Sequence, residues 1–290
     1  MNLTVWTDLQ GVDFCLSTID AGAIPTRALV AGEGPDVIFL HGTSGHLEAF
    51  SRNIGPHVRA GLRCHAIDML GHGYTAKPDY TYEIPRYVEH LVGYLDAQGI
   101  ESAHFVGESL GGWVAGWLAS EQPARVRSVQ LVAAGGTVAN PAIMERIKSS
   151  TTKAVVEDDI DFTRARLHLL MHDKKNVSDE LVEIRHAIYH APAFQKNLAN
   201  LLCLQEMEIR QRNLLRPERL ARLAAVPTLV VWGHENPFGD VPEAKAMHDN
   251  IAGSRLVLLE KCGHWPQHEQ HDQFNELSIE FITTAELARS

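Results

Sequence analysis

The amino-acid sequence predicts an α/β fold, a mostly parallel, doubly wound sheet with an inserted helical segment. Two observations support this fold class. Short apolar runs such as residues 37–40 and 228–232 alternate with helical stretches along most of the chain, which is typical of a parallel sheet covered by helices on both faces. The alternation stops between residues 138 and 222, where the pattern is helical and contains no strong strand.

The core elements follow from the apolar periodicity and the turn residues. Residues 12–18 and 27–31 are predicted as two short strands joined by a Gly/Pro turn. Further strands are expected at residues 37–40, 62–68, 103–106, 129–133, 228–232 and 256–259, and helices at residues 47–59, 84–98, 110–121, 242–251 and 271–287.

The helical segment at residues 138–222 is about 85 residues long, which is too long for a loop within a compact domain. It lies between the strand that ends near residue 134 and the strand that begins at residue 228. We expect it to form a cap over the carboxyl edge of the sheet, where doubly wound folds bind their ligands. Residues 1–137 and 223–290 would then form the core domain.

The composition disfavours several classes of function. The formal net charge is −10, whereas nucleic-acid-binding proteins usually present a basic face. No apolar stretch is long enough to span a bilayer, no signal peptide is visible, and the four cysteines have no metal-binding or redox spacing. We therefore expect a cytoplasmic enzyme that acts on a small molecule, with no metal, nucleotide or flavin cofactor and no nucleic-acid or membrane partner.

A serine nucleophile is indicated by the pattern G-x-S-x-G at residues 107–111. A predicted strand runs directly into this pattern and a predicted helix follows it, which is the context of a sharp turn that exposes a serine hydroxyl at the top of the sheet. Gly107 and Gly111 leave room for this strained backbone, because a Cβ at either position would clash. Ser109 is therefore the predicted nucleophile.

A turn that begins His-Gly follows the strand at residues 37–40. Its backbone N–H groups can point toward Ser109 and, together with the N–H of Leu110, hold the oxyanion of a tetrahedral intermediate. One such donor lowers the reaction barrier by about 3 kcal/mol. Thr43 is the first choice for the donor in this turn, and Ser44 is the alternative.

His264 is the predicted base because of its place in the chain. It follows Gly263 just after the last predicted strand, so its imidazole would lie on a turn at the carboxyl edge of the sheet. The chain order of serine, acid and then histidine is that of hydrolases with a G-x-S-x-G turn. The chain holds 16 histidines, so composition alone would not single out this one.

The acid that would orient His264 should follow the strand at residues 228–232, where this chain has Asn236. Three possibilities remain open. Asn236 could act through its carbonyl oxygen, Asp240 could reach in from a longer loop, and Glu235 could do so if the turn is rotated. Because an Asp-to-Asn change in a Ser-His-Asp triad costs about four orders of magnitude in rate, Asp240 is slightly preferred over Asn236.

Three segments resemble the meta-cleavage product hydrolases, which have the α/β-hydrolase fold and cleave a C–C bond in 2-hydroxy-6-oxo-dienoates from aromatic-ring degradation. The segments are residues 69–78 (MLGHGYTAKP), 107–112 (GESLGG) and 262–269 (CGHWPQHE). The similarity covers nearly the whole chain and is weakest in the cap. It implies that the substrate dienol ketonises, that a serine–histidine pair drives attack on the distal carbonyl, and that a stabilised carbanion leaves. It also suggests a homodimer.

The resemblance further implies two substrate-binding residues. Arg185 lies about where the family has a cap arginine that binds the dienoate. A solvated charge on a helix surface is the alternative interpretation of this arginine. Trp265 would pack beside the site, as the tryptophan of the family does.

Two features depart from the family pattern. Glu108 replaces the asparagine that usually precedes the nucleophile, near the carboxylate end of the substrate, and Thr43-Ser44 replaces a more glycine-rich turn. Two carboxylates about 4 Å apart repel by about 4 kcal/mol at an effective dielectric constant of 20. Either Glu108 is protonated, or it points away, or the substrate lacks that carboxylate.

Other functions can use the same scaffold. A carboxylesterase or lactonase on small apolar esters would need the same residues. A cofactor-free dioxygenase or a lyase would need the histidine base but no serine nucleophile, and a non-catalytic binding protein would need neither. Asn236 slightly favours the binding protein, whereas Ser109 and His264 favour hydrolysis.

Overall fold

The computed structural model describes residues 4–289, and all eight predicted strands are present. The first strand lies two residues later than expected, because Gly22 and Ala23, both with positive φ, close the turn that follows it. The strands are β1 (Phe14–Asp20), β2 (Pro25–Ala31), β3 (Asp36–Leu40), β4 (Arg63–Ile67), β5 (Ala103–Glu108), β6 (Val126–Val132), β7 (Thr228–Gly233) and β8 (Arg255–Leu259).

The strands form one sheet in the order β1-β2-β4-β3-β5-β6-β7-β8. Strand β2 is antiparallel to both of its neighbours, whereas all other neighbouring pairs run parallel. Every residue of β5 and β7 is buried, as expected for central strands of a parallel sheet that is covered on both faces. The predicted fold class is confirmed.

Helices flank the sheet, and the predicted helix at residues 47–59 begins with a 3₁₀ turn before it becomes α-helical. The α-helices are α1 (Ser51–Arg59), α2 (Ile84–Ala97), α3 (Leu110–Glu121), α4 (Pro141–Val156), α5 (Ile160–His168), α6 (Asp179–Tyr189), α7 (Pro192–Lys196), α8 (Leu198–Leu201), α9 (Met207–Arg212), α10 (Pro217–Leu220), α11 (Val241–Asp249), α12 (Pro266–Glu269) and α13 (His271–Leu287). The 3₁₀ turns are Leu47–Phe50, Pro123–Arg125, Lys174–Asn176, Cys203–Gln205 and Ala221–Ala225. None of the helices within residues 4–289 combines the length and apolar character needed to cross a bilayer.

The chain between β6 and β7 contains helices α4 to α10 and, within the described residues, no strand. Helices α4, α5 and α6 pack against one another. Ile147 from α4 and Arg166 from α5 line a cavity that also contains Ser109. This segment therefore covers the carboxyl edge of the sheet.

The parallel strands bring distant parts of the chain together at that edge. Strand β3 ends at Leu40, and β5 ends at Glu108, immediately before Ser109. The turns after β7 and β8 carry Asn236 and His264. Residues that are 222 positions apart in the sequence, Gly42 and His264, therefore line one cavity.

Helix α3 approaches the sheet very closely at Gly111. A Cβ at this position would lie less than 3.0 Å from the backbone carbonyl oxygen of Leu40. Gly116 on the same helix has more room, because a Cβ there would meet the Leu215 side chain at 3.4 Å. The helix can therefore tolerate a methyl group at one glycine but not at the other.

We expect Gly111→Ala to destabilise the fold by about 2 kcal/mol or more, because the atoms in the way belong to the backbone of β3. Gly116→Ala is the matched control, and it should be neutral or stabilise by up to about 1 kcal/mol, since alanine has the higher helix propensity. Denaturant unfolding of both variants measures the difference. Equal unfolding midpoints would contradict this account of the helix–sheet contact.

Candidate active site

Ser109 lies at the turn from β5 to α3 and has a strained backbone, with φ 52° and ψ −110°. Such a conformation costs about 1–3 kcal/mol in a residue other than glycine and persists only where its surroundings impose it. Its N–H donates to the Val132 carbonyl at 2.9 Å, and its own carbonyl accepts from the N–H groups of Trp113 (3.1 Å) and Gly135 (3.0 Å). These bonds hold the serine at the cavity wall, where it remains partly accessible.

The predicted oxyanion donors lie on two sides of Ser109. Leu110 is the first residue of α3, and the first N–H groups of a helix have no intrahelical acceptor. Thr43 lines both cavities that contain Ser109. Ser44 has a left-handed backbone (φ 59°), and its hydroxyl lies 2.9 Å from the hydroxyl of Tyr189. Ser44 is therefore bonded to the cap, whereas Thr43 lines the same two cavities as Ser109.

His264 is buried, and its Nδ1 lies 2.9 Å from the side-chain oxygen of Asn236. Its backbone N–H donates to the carbonyl of Leu170 at 2.7 Å, and its ring packs edge-on against Phe238 with the centroids 5.0 Å apart. Burial lowers the pKa of the imidazole to about 3, and the nearby charge of Arg166 acts in the same direction. His264 is therefore neutral at neutral pH.

A backbone contact determines how Asn236 is oriented. The N–H of Phe238 donates to the same Asn236 side-chain oxygen at 3.1 Å. If the amide were turned over, its NH₂ group would face this N–H, and two donors would meet. The oxygen therefore faces His264, so Nδ1 carries the imidazole proton and Nε2 keeps its lone pair. This is the tautomer that a general base requires.

The preference for Asp240 as the partner of His264 is wrong in this structure. Asp240 is the N-cap of α11, where its carboxylate accepts the N–H of Glu243 at 3.0 Å. Glu235 is exposed and accepts the N–H of Cys262 at 2.8 Å. The loop after β7 therefore does not bring Asp240 to the imidazole. Of the three candidates, Asn236 is the residue that contacts His264.

Glu108 points into the cavity rather than away from it. Its side chain is fully buried, and one carboxyl oxygen lies 3.3 Å from Nε2 of His264. Gly42 makes this placement possible, because a Cβ there would lie 2.5 Å from the other carboxyl oxygen. Neither oxygen has a hydrogen-bond partner with full geometry among residues 4–289.

Burial raises the pKa of Glu108 to about 8, although the Gly42 N–H and the charges of Arg185 and Arg166 act in the opposite direction. The carboxyl is therefore neutral through most of the neutral pH range. The sequence left three explanations open for this glutamate, and the structure favours protonation, because the side chain faces the site.

Two buried arginines of the cap lie near this carboxyl. Arg185 places its guanidinium over the rings of Trp265 (5.5 Å) and Tyr189 (5.7 Å) and donates to the Tyr189 hydroxyl at 3.2 Å. Its Nε and one terminal nitrogen have no hydrogen-bond partner in the described chain. Arg166 donates to the Thr151 hydroxyl at 3.2 Å and also keeps one nitrogen without a partner. No carboxylate within residues 4–289 forms a salt bridge with either guanidinium.

The cavity space divides around Ser109 and His264 into a larger and a smaller compartment. Arg166, Glu108 and Trp265 line the smaller compartment. The larger one combines apolar residues with the polar side chains of Thr43, Ser109, Asn236 and His264. Its other polar side chains are Gln205, Arg210 and Glu243.

Sequence reasoning missed Arg166 and Tyr189. Arg166 belongs to the face of α5 that also buries Thr163 and Leu167, so a charged residue on an apolar helix stripe was the available signal. Tyr189 follows Arg185 by four residues on α6, which places the two side chains on one face. Arg185 itself is buried, which rules out the interpretation of a solvated surface charge.

We expect Glu108→Gln to gain stability relative to the parent protein as pH rises. An ordinary glutamate has a pKa of 4.5, and the folded-state pKa of Glu108 is about 8. The unfolded chain therefore releases this proton first, so the parent loses up to about 5 kcal/mol between these two pKa values, whereas glutamine does not titrate.

Melting temperatures at pH 5 and pH 8.5 measure this effect. The difference between the variant and the parent should shift by several degrees in favour of the variant at the higher pH. A difference that is the same at both pH values would mean that Glu108 does not carry a raised pKa in the folded protein.

Comparison with known proteins identifies the family. The chain matches the family described as alpha/beta hydrolase fold over residues 35–270. A 2-hydroxy-6-oxo-6-phenylhexa-2,4-dienoate hydrolase from Comamonas testosteroni is 34% identical over 262 residues, which cover 87% of this chain and 89% of the relative. A 2-hydroxymuconate semialdehyde hydrolase from Pseudomonas sp. strain CF600 is 33% identical over 278 residues, 93% of this chain and 94% of the relative.

Solved structures agree with these relatives. A variant of the meta-cleavage product hydrolase of Pseudomonas fluorescens IP01 has 29% identity and a TM-score of 0.77, over 93% of this chain and 98% of that chain. The 2-hydroxy-6-oxo-6-phenylhexa-2,4-dienoate hydrolase of a Rhodococcus strain has 25% identity and a TM-score of 0.83, over 94% and 99% of the two chains. The chain therefore belongs to the α/β-hydrolase fold family, and its relatives within that family are named as hydrolases of meta-cleavage products.

Proposed function

We propose that the protein hydrolyses a C–C bond in a 2-hydroxy-6-oxo-dienoate formed by ring cleavage of an aromatic compound, with Ser109 as nucleophile and His264 as base. The observation that carries this proposal is the guanidinium of Arg185. It is 1% exposed, has free donors and has no carboxylate partner in the described chain. A buried charge without a partner is unfavourable, so the free protein is built to receive an anion there.

The smaller compartment is electrostatically suited to a carboxylate. Arg166 lines it, Arg185 adds a second positive charge from beside Trp265, and Glu108 contributes no charge while it is protonated. A carboxylate of the substrate would accept hydrogen bonds from the donors that the arginines leave unused. A protonated glutamate therefore does not repel a dienoate at neutral pH.

The larger compartment would receive the group attached to the distal carbonyl carbon, C6. Trp113, Val138 and Ile143 give it an apolar wall, which suits an apolar ring or chain. Because the reactive side chains lie between the two compartments, a substrate that filled both would place its C5–C6 bond beside Ser109 and His264.

The proposed reaction uses these groups in turn. After the dienol ketonises, Ser109 Oγ attacks C6 while its proton passes to Nε2 of His264. The oxyanion accepts hydrogen bonds from the backbone N–H groups of Thr43 and Leu110. The C5–C6 bond breaks, its electron pair leaves as a carbanion that the 2-oxo-acid stabilises, and His264 returns the proton to it. Water activated by His264 then hydrolyses the acyl-serine.

We also propose that the protein works in the cytoplasm. All four cysteines are free thiols, and three of them are buried. Free thiols are typical of a reducing compartment. Burial raises the pKa of the Cys64 and Cys262 thiols, which keeps them protonated and unreactive.

The proposed function is tested by turnover of 2-hydroxy-6-oxo-6-phenylhexa-2,4-dienoate and of p-nitrophenyl acetate by the purified protein. We expect rapid loss of the coloured dienolate, slow cleavage of the ester, and loss of both activities in Ser109→Ala with folding intact. Arg185→Gln should raise KM for the dienolate by about tenfold or more and leave KM for the uncharged ester unchanged.

Cleavage of the ester alone would make the protein an esterase or lactonase. Dienolate turnover in Ser109→Ala above about a tenth of the parent rate would exclude the covalent mechanism. A similar change of KM for both substrates in Arg185→Gln would mean that the arginine supports the cap rather than the carboxylate.

We further expect Asn236→Ala to lower kcat at least about 100-fold, because His264 loses the acceptor that fixes its tautomer. Asp240→Asn is the matched control. It changes a nearby side chain that caps α11, and its kcat should stay within about twofold of the parent, since asparagine is an equally good N-cap. If Asp240→Asn showed the larger loss, the assignment of Asn236 to His264 would be wrong.

A further inference from the structure

The pairing of His264 with Asn236 leaves an electrostatic problem. When a histidine accepts the proton of a serine, it becomes an imidazolium, and in a Ser-His-Asp triad the aspartate stabilises that charge. Asn236 can fix the tautomer of His264, but its amide is neutral. Because His264 is buried, an imidazolium without a nearby negative charge would be strongly disfavoured.

The structure contains a carboxyl group that can supply this charge. Among residues 4–289, Glu108 has the one carboxyl that lies within 4.0 Å of a ring nitrogen of His264. The distance to Nε2 is 3.3 Å, and the contact lacks the geometry of a hydrogen bond. The carboxyl therefore lies beside the imidazole without occupying the lone pair that must accept the Ser109 proton.

We propose that Glu108 is the electrostatic partner of His264 and that its carboxylate balances the imidazolium while Asn236 holds the tautomer. The two tasks that one aspartate performs in the usual triad are thus divided between Glu108, at the end of β5, and Asn236, in the turn after β7. The inference rests on the proposed function only in that Ser109 and His264 form the nucleophile and base. It does not depend on the identity of the substrate.

The protons and charges of the step balance. The Ser109 proton moves to Nε2 of His264, and a bond forms between Oγ and the electrophile, whose oxygen becomes negative. The imidazolium then carries one positive charge beside the negative charge of Glu108. Glu108 acts through the charge on His264 and neither forms nor breaks a bond in this step, so it is a positioning residue and not a nucleophile or base.

The groups that face Glu108 determine when it carries its charge. They are His264 from the turn after β8, Arg166 from α5, Arg185 from α6 and the backbone N–H of Gly42. The arginines and the N–H favour the carboxylate, whereas burial opposes it more strongly and raises the pKa to about 8. The carboxylate is thus present above this pKa, and below it the carboxyl resembles the neutral amide of a glutamine.

This comparison defines the test. The rate at which a fluorophosphonate labels Ser109 reports on the serine–histidine pair with an uncharged probe. Parent and Glu108→Gln should be labelled at rates within about threefold of each other at pH 6, where both side chains are neutral. At pH 9 the parent should be labelled about 100-fold faster, because only the parent then has a negative charge beside His264.

Rescue provides the second measurement. Asn236→Asp introduces a carboxylate on the other side of the imidazole, so the double variant Glu108→Gln/Asn236→Asp should recover to within about tenfold of the parent labelling rate at pH 9. Asp240→Asn in the Glu108→Gln background is the control, and it should give no recovery. If Glu108→Gln does not fold, Glu108→Asn removes the same charge and takes its place.

Two results would overturn the inference. One is a ratio of parent to Glu108→Gln labelling rates that is the same at pH 6 and pH 9, which is what a purely structural role would give. The other is a folded double variant that is labelled no faster than Glu108→Gln. These results differ from a failure of the proposed function. In that case the parent would leave the dienolate intact, but the labelling rates would still depend on Glu108.

Discussion

The reversal of the chain at Ser109 is the constraint on which the site depends. Strand β5 must end and α3 must begin within one residue of left-handed backbone, and this is possible only because Gly107 and Gly111 let the helix lie against the strands. The reversal exposes Ser109 to the cavity and, one residue earlier, presents Glu108 to the same space. The carboxyl of Glu108 therefore lies next to Ser109 because the two residues are consecutive in this turn.

Much of this arrangement could be predicted from the sequence, because it is encoded locally. The strands are apolar runs bounded by turns, and Ser109 and His264 each follow a strand in a short motif that includes glycine. In a parallel sheet, a residue just after a strand must lie at the carboxyl edge. The pattern therefore predicted the fold, which the family comparisons confirm, and it singled out Ser109 and His264, which the structure brings to one cavity.

The remaining features depend on contacts between distant segments. Asn236 and Asp240 lie four positions apart in one loop, and either could have been the partner of His264. The choice between them depended on whether helix α11 would use Asp240 as its N-cap. Arg166 lies on a cap helix whose register over the sheet no local pattern reveals. The protonation of Glu108 follows from complete burial, which becomes visible only once Gly42 and the cap are in place.

The backbone bond from Phe238 to Asn236 has a wider consequence. This bond needs only a side-chain oxygen at position 236, which both asparagine and aspartate have. Either residue would therefore present the same oxygen to the imidazole. The direction in which the histidine accepts a proton and its strength as a base are thus set by different parts of the protein. A scaffold of this kind can change its working pH range through single substitutions, without first losing the geometry on which its chemistry relies.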